Sequence, residues 1–478
     1  MAKEISQTQS SSIASQHPLY QVMQPTWNLI DTLMGGTSAM RAASETYLPK
    51  EDEEETTDYS NRLSRSFLYN GLRDAIRTLK SKPFRQLVTV NDDADWIKTI
   101  EKDMDGKGNT LTAGTRAIFE KALSHGMIHT VVDIVEGREA PVIKAIAAPQ
   151  LFNWQYEVTE GECVLTHIRY TEVMFTPNKD DPNVMETRYI IKAITANGVD
   201  SKDKKVMGNI QTWEQKVIGE SWTLIDTQGY DFDKIYLKTG YFTDVGFMVA
   251  EPPMEDLAYA NLNHWQNSSD HNNVLRFVRT GIIYGTGVPE KQQNGIIAGV
   301  NNIAWFEDPN AKLQRLDYGN VPVDASRQNL QDLEMQMEHL GMMPMVQRTV
   351  EATATEKTID NDNSMSLLHQ WVRATSELMT ETFKMAADLA GLPIKEDFDV
   401  HIYDEFSAIS SVEMGNLLAN YYNSKIISHK TVVDEAKKKG VLSDTIDAEE
   451  EKIAIDDESV ASVENFIPPT EPAEGENE

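Results

Sequence analysis

Apolar positions recur every three or four residues over His17–Gly36, where Leu19, Met23, Trp27, Ile30 and Leu33 form one stripe and predict a helix. Pro25 lies inside that stripe, so a kink or split is expected there. The same period predicts a second helix over about Tyr59–Lys80, through Leu63, Phe67, Leu72, Ile76 and Leu79. A third is predicted over about Ala113–Glu136, through Ile118, Leu123, Met127, Val131 and Ile134. Between Pro141 and Val249 the pattern changes. Val164–Tyr170, Thr187–Lys192, Ile210–Val217 and Ser221–Asp226 read as strands, with turn signals at Asn178–Asn183, Asn197-Gly198 and Asp231–Asp233. A mostly antiparallel sheet is expected, with the flanking helices packed on it.

Helical periodicity returns after Pro252-Pro253 and runs to about Arg279, through Leu257, Ala260, Leu262, Trp265, Val274, Leu275 and Val278. A strand-and-turn region follows to about Pro322. Asp324–Leu340 then reads as a helix, with Leu330, Leu333, Met337 and Leu340, closed by Gly341. Met342 to about Thr358 has no regular pattern. Beyond it the longest helix runs from about Ile359 to Leu389, with Leu367, Leu368, Trp371, Thr375, Leu378 and Phe383 on one face. A short strand, Phe398–Tyr403, and helices over Val412–Lys425 and His429–Lys439 complete the pattern. The fold class is α+β.

Composition adds boundaries. A chain of 478 residues exceeds what one core supports, so several structural units are expected. No stretch reaches the ~18 unbroken apolar residues of a membrane helix. Residues 1–16 are polar, lack the apolar core of a signal peptide, and read as a disordered lead-in. The single cysteine, Cys163, excludes an internal disulfide and a cysteine metal cluster, and fits a reducing compartment.

Charge changes the picture more. The formal net charge is −31, the opposite of the basic patches that hold nucleic acid by its phosphates. Val441–Glu478 alone carries 13 acidic residues and one basic one, Lys452. Residues 456–478 are expected to be a disordered acidic tail. An acidic protein can still handle DNA by repelling its phosphates, so that the polymer slides rather than sticks.

Searches for chemistry fail one by one. No GxxxxGK[ST] loop is present. Gly285-Thr286-Gly287 begins like a dinucleotide fingerprint, but Glu290 stands at the third glycine position. His125 and His129 are four apart on an expected helix, yet the glutamate of HExxH is missing. Asp103–Asn109 resembles the start of a calcium loop, but Gly114 replaces the bidentate glutamate and Lys107 occupies a ligand position. Met335, Met337, Met342, Met343 and Met345 gather at one helix end, where methionine serves adaptable packing or a mobile contact loop. With no nucleophile elbow and no convincing carboxylate pair, no enzyme activity, cofactor or metal is expected.

The order of elements resembles the tailed-bacteriophage portal (head-to-tail connector) proteins. His17-Pro18-Leu19-Tyr20 with Trp27 and Tyr47-Leu48-Pro49 look like one portal subfamily. Ala258–Thr280 looks like a first stem helix and Asp324–Leu340 like a second. Ala419–Glu451, with Ile427-Ser428-His429-Lys430-Thr431, is also similar to portals. The resemblance implies a multidomain subunit with a wing over 17–252, stem helices at 253–279 and 324–341, and a clip at 280–323. It further implies a tunnel-loop region at 342–358, a long helix and return to the wing over 359–411, and crown helices over 412–455. It implies a closed, dodecameric ring at one capsid vertex through which double-stranded DNA is packaged and ejected without sequence readout. Terminase, tail adaptors and the major capsid protein are its implied partners. No membrane is involved, and assembly takes place in host cytoplasm. Arg348 and Lys357 would face the DNA channel. Lys291, Glu307, Asp308, Lys312 and Arg315 would dock terminase or adaptors, in a stretch (Arg276–Val323) of five basic and four acidic residues. The alternatives are another virion structural or ejection protein, or a soluble enzyme.

Overall fold

A computed structural model describes residues 12–455 apart from 136, 160, 179–180, 182, 200–204, 281, 287–311, 317–320, 342–353, 405–410, 439–441 and 443–445. The chain divides into two units, one of residues 1–350 and 367–403 and one of 351–366 and 404–478. In the first unit, helices α1 (Pro18–Ala43), α2 (Thr56–Arg65), α3 (Gly71–Ser81), α4 (Asp95–Lys102) and α5 (Leu111–His125) precede the sheets. Strand β1 (Thr89–Val90) lies between α3 and α4.

The first helix is longer than its apolar stripe. Pro25 is accommodated, and the backbone departs from helical geometry at Gly36 instead, with φ +78°. The reason is local. A side chain at Gly36 would meet the Arg73 guanidinium at 3.0 Å, and only glycine adopts this φ without cost. The expected single helix over Tyr59–Lys80 is two, α2 and α3. Asn70 caps α3 by accepting the Arg73 amide (3.0 Å) and donates to the Leu33 carbonyl (2.6 Å), which fixes a break. Phe67, read as a core position, lies in that break and is exposed.

The third expected helix is also cut. α5 ends at His125, Gly126 takes a left-handed φ of +81°, and β2 (Met127–Asp133) begins at once. A Cβ on Gly126 would sit 2.3 Å from the Glu251 carbonyl, so only glycine fits the switch. The run Ile128–Val132 is β-branched at four of five positions and suits a strand. His125 and His129 therefore do not share a helix face.

Strand β2 is the centre of a three-stranded antiparallel sheet between β3 (Val142–Ala147) and β11 (Leu237–Tyr241). The larger sheet has the order β10-β9-β6-β5-β4 and is antiparallel throughout, as expected: β4 is Leu151–Thr159, β5 Glu162–Pro177, β6 Met185–Thr195, β9 Gly208–Gln215 and β10 Thr223–Tyr230. Short pairs β7 (Gly198–Val199) with β8 (Lys205–Val206), and β12 (Asp244–Gly246) with β13 (Val249–Ala250), lie beside them. The core between α1 and the sheets holds Trp27, Met127, Trp154, Ile168 and Ile191. Trp27 is fully buried, and its indole donates to the His125 carbonyl (3.0 Å), so its polar edge is not stranded. Within the expected lead-in, residues 12–16 are seated on the large sheet. Ile13 is buried, and Arg169 donates to the carbonyls of Ser12 (2.7 Å) and Ile13 (3.2 Å).

After the sheets come α6 (Glu255–Thr280), β14 (Ile282–Thr286), β15 (Lys312–Leu316), α7 (Val321–Leu340) and α8 (Ala354–Ala390). The long helix starts five residues earlier than expected. Its part within the first unit buries Leu368, Trp371, Thr375, Leu378 and Phe383, while Leu367 is exposed. The last strand of the first unit is β16 (Val400–His401), shorter than expected and paired with β1. In the second unit α9 (Ser411–Asn423) and α10 (His429–Lys438) match the expected helical end. Leu418, Val433 and Ala436 are buried there, and Ser428 starts α10 by accepting the Thr431 amide (3.2 Å). The acidic tail, 456–478, lies outside the described residues.

Two histidines of the sheets are held neutral. Burial depresses the pKa of His129 to about 3, and burial together with the Arg169 charge depresses that of His167 to about 4. In the unfolded chain both bind a proton near pH 6.5, so from about 6.5 down to 3 the unfolded state takes up more protons. Stability is full above that window and declines as pH falls through it. Thermal melts are expected to show this decline, with a shallower slope for His129→Gln.

Candidate functional site

The Asp103–Asn109 loop spends its carboxylates on itself. Asp103 accepts the Gly108 amide (2.9 Å) and the Arg138 guanidinium (2.9 Å), and Asp105 accepts Lys107 and Asn109. Arg138 stands where a cation would neutralise the loop. His125 is buried against Asp31 (3.0 Å), and His129 faces Thr239 (2.9 Å). Among the described residues no group of three or more His, Cys, Asp or Glu could hold a metal. Gly285 and Thr286 belong to β14, paired with Leu313 and Lys312.

The feature that stands apart is an arm. α6 and α7 pack against each other, and the antiparallel strand pair β14–β15 lies in the chain between them. The near half of α6 is anchored by polar groups on its buried face. Leu257, Ala258, Asn261, His264, Trp265 and Ser269 are all buried, a helical stripe in which three of six positions are polar. Each polar side chain has a partner. Asn261 accepts the Leu72 amide (3.1 Å) and donates to the Tyr69 carbonyl (2.7 Å), tying α6 to the N-terminus of α3. Ser269 accepts from Ser66 (3.0 Å), and His264 faces Glu334 of α7 (3.3 Å). Arg62, 5% exposed, grips both oxygens of Glu54 (2.8 and 2.7 Å) and the Pro49 carbonyl (2.8 Å), and lies 3.8 Å from Asp270 of α6. Its hydrogen bonds hold the Glu54 carboxyl below the usual carboxylate range. The base of α7 packs more simply: Met337 fits over Gly71, and Gly341 leaves room for Ala75 and Leu257.

Beyond residue 270 the arm changes character. Among its described side chains, none of those at 270–278 or 323–332 is buried. The cross-links there are polar: His271 to Ser326 (3.0 Å) and Asn329 to Asn267 (3.1 Å). α6 and α7 carry seven acidic residues against three basic.

The stretch 253–390, from α6 through α8, matches a family described as a domain of unknown function (DUF4055). No curated protein matches the chain. Among solved structures it is similar to a chain in the neck of an empty GTA particle computed with C6 symmetry, at 10% identity and a TM-score of 0.41, covering 76% of this chain and 88% of that one. It is similar also to chains in the virion of a native gene transfer agent (GTA) particle (10% identity, TM-score 0.40, 82% and 96%) and in the native neck computed with C12 symmetry (10% identity, TM-score 0.40, 83% and 97%).

Of the residues singled out in the sequence, Lys312 is exposed on β15, and Arg315 lies on the same strand opposite Ile283. Lys291, Glu307, Asp308 and Arg348 lie outside the described residues. Lys357 falls on α8 rather than in a loop. The anchors Asn261, Ser269 and Arg62 were missed, although an Asn and a Ser on the apolar stripe of a helix are a legible signal. Replacing Asn261 with leucine leaves the Leu72 amide unpaired in the interior, at about 1–3 kcal/mol, while the Tyr69 carbonyl keeps the Gly71 amide (3.3 Å). Chemical denaturation of Asn261→Leu should show a loss of about 1–3 kcal/mol, whereas Asn267→Leu should cost under about 1 kcal/mol.

Proposed function

We propose that this chain is a phage portal subunit, a non-enzymatic virion protein that assembles into a ring and conducts double-stranded DNA. One observation carries the reading: a pair of packed helices, anchored at its base by a polar seam, whose far half buries no described side chain. Short helices hold little stability alone and depend on packing. An arm of two helices with Val274, Leu275 and Leu330 only half covered is completed by lateral neighbours, as in a ring of stems. The succession of mixed α/β body, helix, hairpin, helix, long helix and helical end supports the same reading.

The charge supports the conduit. Seven acidic against three basic residues on the stem helices disfavour holding phosphates, which a channel passing any sequence must avoid. In this proposal Arg348 and Lys357 supply the few cationic contacts near the channel. Lys291, Glu307, Asp308, Lys312 and Arg315 form the mixed-charge clip that docks terminase and later the tail adaptors, and the ring sits at a capsid vertex beside the major capsid protein. The motor belongs to terminase, consistent with a sequence that has no phosphate loop.

Native mass measurement and negative-stain imaging of the purified chain test the proposal. Closed rings with a central hole, twelve-fold in the particle, are expected. A species that stays monomeric at high concentration and at every salt concentration overturns it.

A further inference from the structure

The large sheet has two edges. β10 forms one, and at seven of its eight positions, Thr223–Gly229, the residue is exposed. β4 forms the other. The N-terminal segment covers its first half, where the His17 amide donates to the Phe152 carbonyl (2.9 Å), but Gln155–Thr159 are exposed. Among the described residues, the backbone of these two segments has no hydrogen-bonding partner outside its own sheet.

Edges of this kind are usually guarded, because unpaired N–H and C=O groups template pairing with another strand. The usual guards are charged side chains (lysine above all), proline, β-bulges, or a very short strand. Neither segment has a lysine or proline, β10 has a single bulge at Ile225, and both are rich in strand-forming residues. Both also expose large apolar side chains: Leu224 (43%) and Ile225 (46%) on β10, Tyr156 (46%) and Val158 (66%) on β4. The sheet is antiparallel throughout with five strands, so its two edge strands run in the same direction.

We infer that β10 of one copy pairs with the Gln155–Thr159 half of β4 in the next copy, so that the large sheets join edge to edge. The occupant is a second copy of this chain because one sheet offers two unlike open edges on opposite sides. Head-to-tail association requires that arrangement, and it closes when the rotation between copies is right. A two-fold dimer would instead use one edge against itself and leave the other bare. The junction would be parallel and add apolar contacts from Leu224 and Val158. This inference rests on the ring proposal for its closure, and it names a contact that the arm does not provide.

The test uses the full chain with Cys163→Ser, since Cys163 is exposed. Val158→Cys and Thr227→Cys are introduced singly and together, and a short bis-maleimide is added. The double variant should give a ladder of cross-linked oligomers, with rings in the same sample by negative stain, while each single variant stays uncross-linked. Ile225→Lys, which guards the edge, should raise the concentration needed for half-assembly by about tenfold, with the circular dichroism spectrum unchanged. Rings without a ladder overturn the edge pairing and leave the ring proposal standing. Dimers from Thr227→Cys alone overturn it in favour of two-fold pairing, and the absence of both rings and ladder overturns the two together.

Discussion

The seating of α6 on the body of the first unit is the contact on which the arm depends. Its buried stripe is half polar: Asn261 pairs with the backbone at Tyr69 and Leu72, Ser269 with Ser66, and His264 with Glu334. An apolar stripe would tolerate small slips of the helix along or around its axis. Paired polar groups in the interior do not, because a slip leaves them unpaired at about 1–3 kcal/mol each. The seam therefore sets one direction and one register for a helix that continues well past the body. A ring needs that property, since an angular error in each subunit accumulates around the closure.

Past residue 270 the constraint reverses. The base is over-determined, and the far half is under-packed. Val274 and Leu275 are only half covered there. The two exposed edges of the large sheet are a second open surface. In the proposed ring neighbouring copies would cover both, and the acidic surface of the arm helices disfavours nucleic acid as the neighbour.

Much of this was readable in the sequence, for particular reasons. The helix–hairpin–helix succession follows from clear periodicity in α6 and α7, and the large sheet from alternating β-branched runs. Where the reading failed, tertiary contacts had overridden the local pattern. Val131 fits a helical stripe from Ile118 onward, but Gly126 turns the chain in a left-handed conformation, and Glu251 from a distant segment lies so close that no side chain fits there. Tyr59–Lys80 reads as one helix because Phe67 falls on the stripe, yet Asn70 is claimed by the Leu33 carbonyl and breaks it. Residues 12–16 fall in a polar segment that reads as disordered, but Arg169, more than 150 positions away, holds the carbonyls of Ser12 and Ile13. Asn261, absent from the expected apolar stripe of α6, is an anchor.

Hydrogen exchange read peptide by peptide across the arm tests the account most directly. In the dissociated chain, amides at 257–269 should be well protected and those at 271–280 and 321–331 should exchange quickly. On assembly the second group should gain protection of at least about tenfold while the first changes little. If both halves of the arm are equally protected in the monomer, or if assembly leaves 271–280 and 321–331 unchanged, the arm is not the element that neighbouring subunits complete.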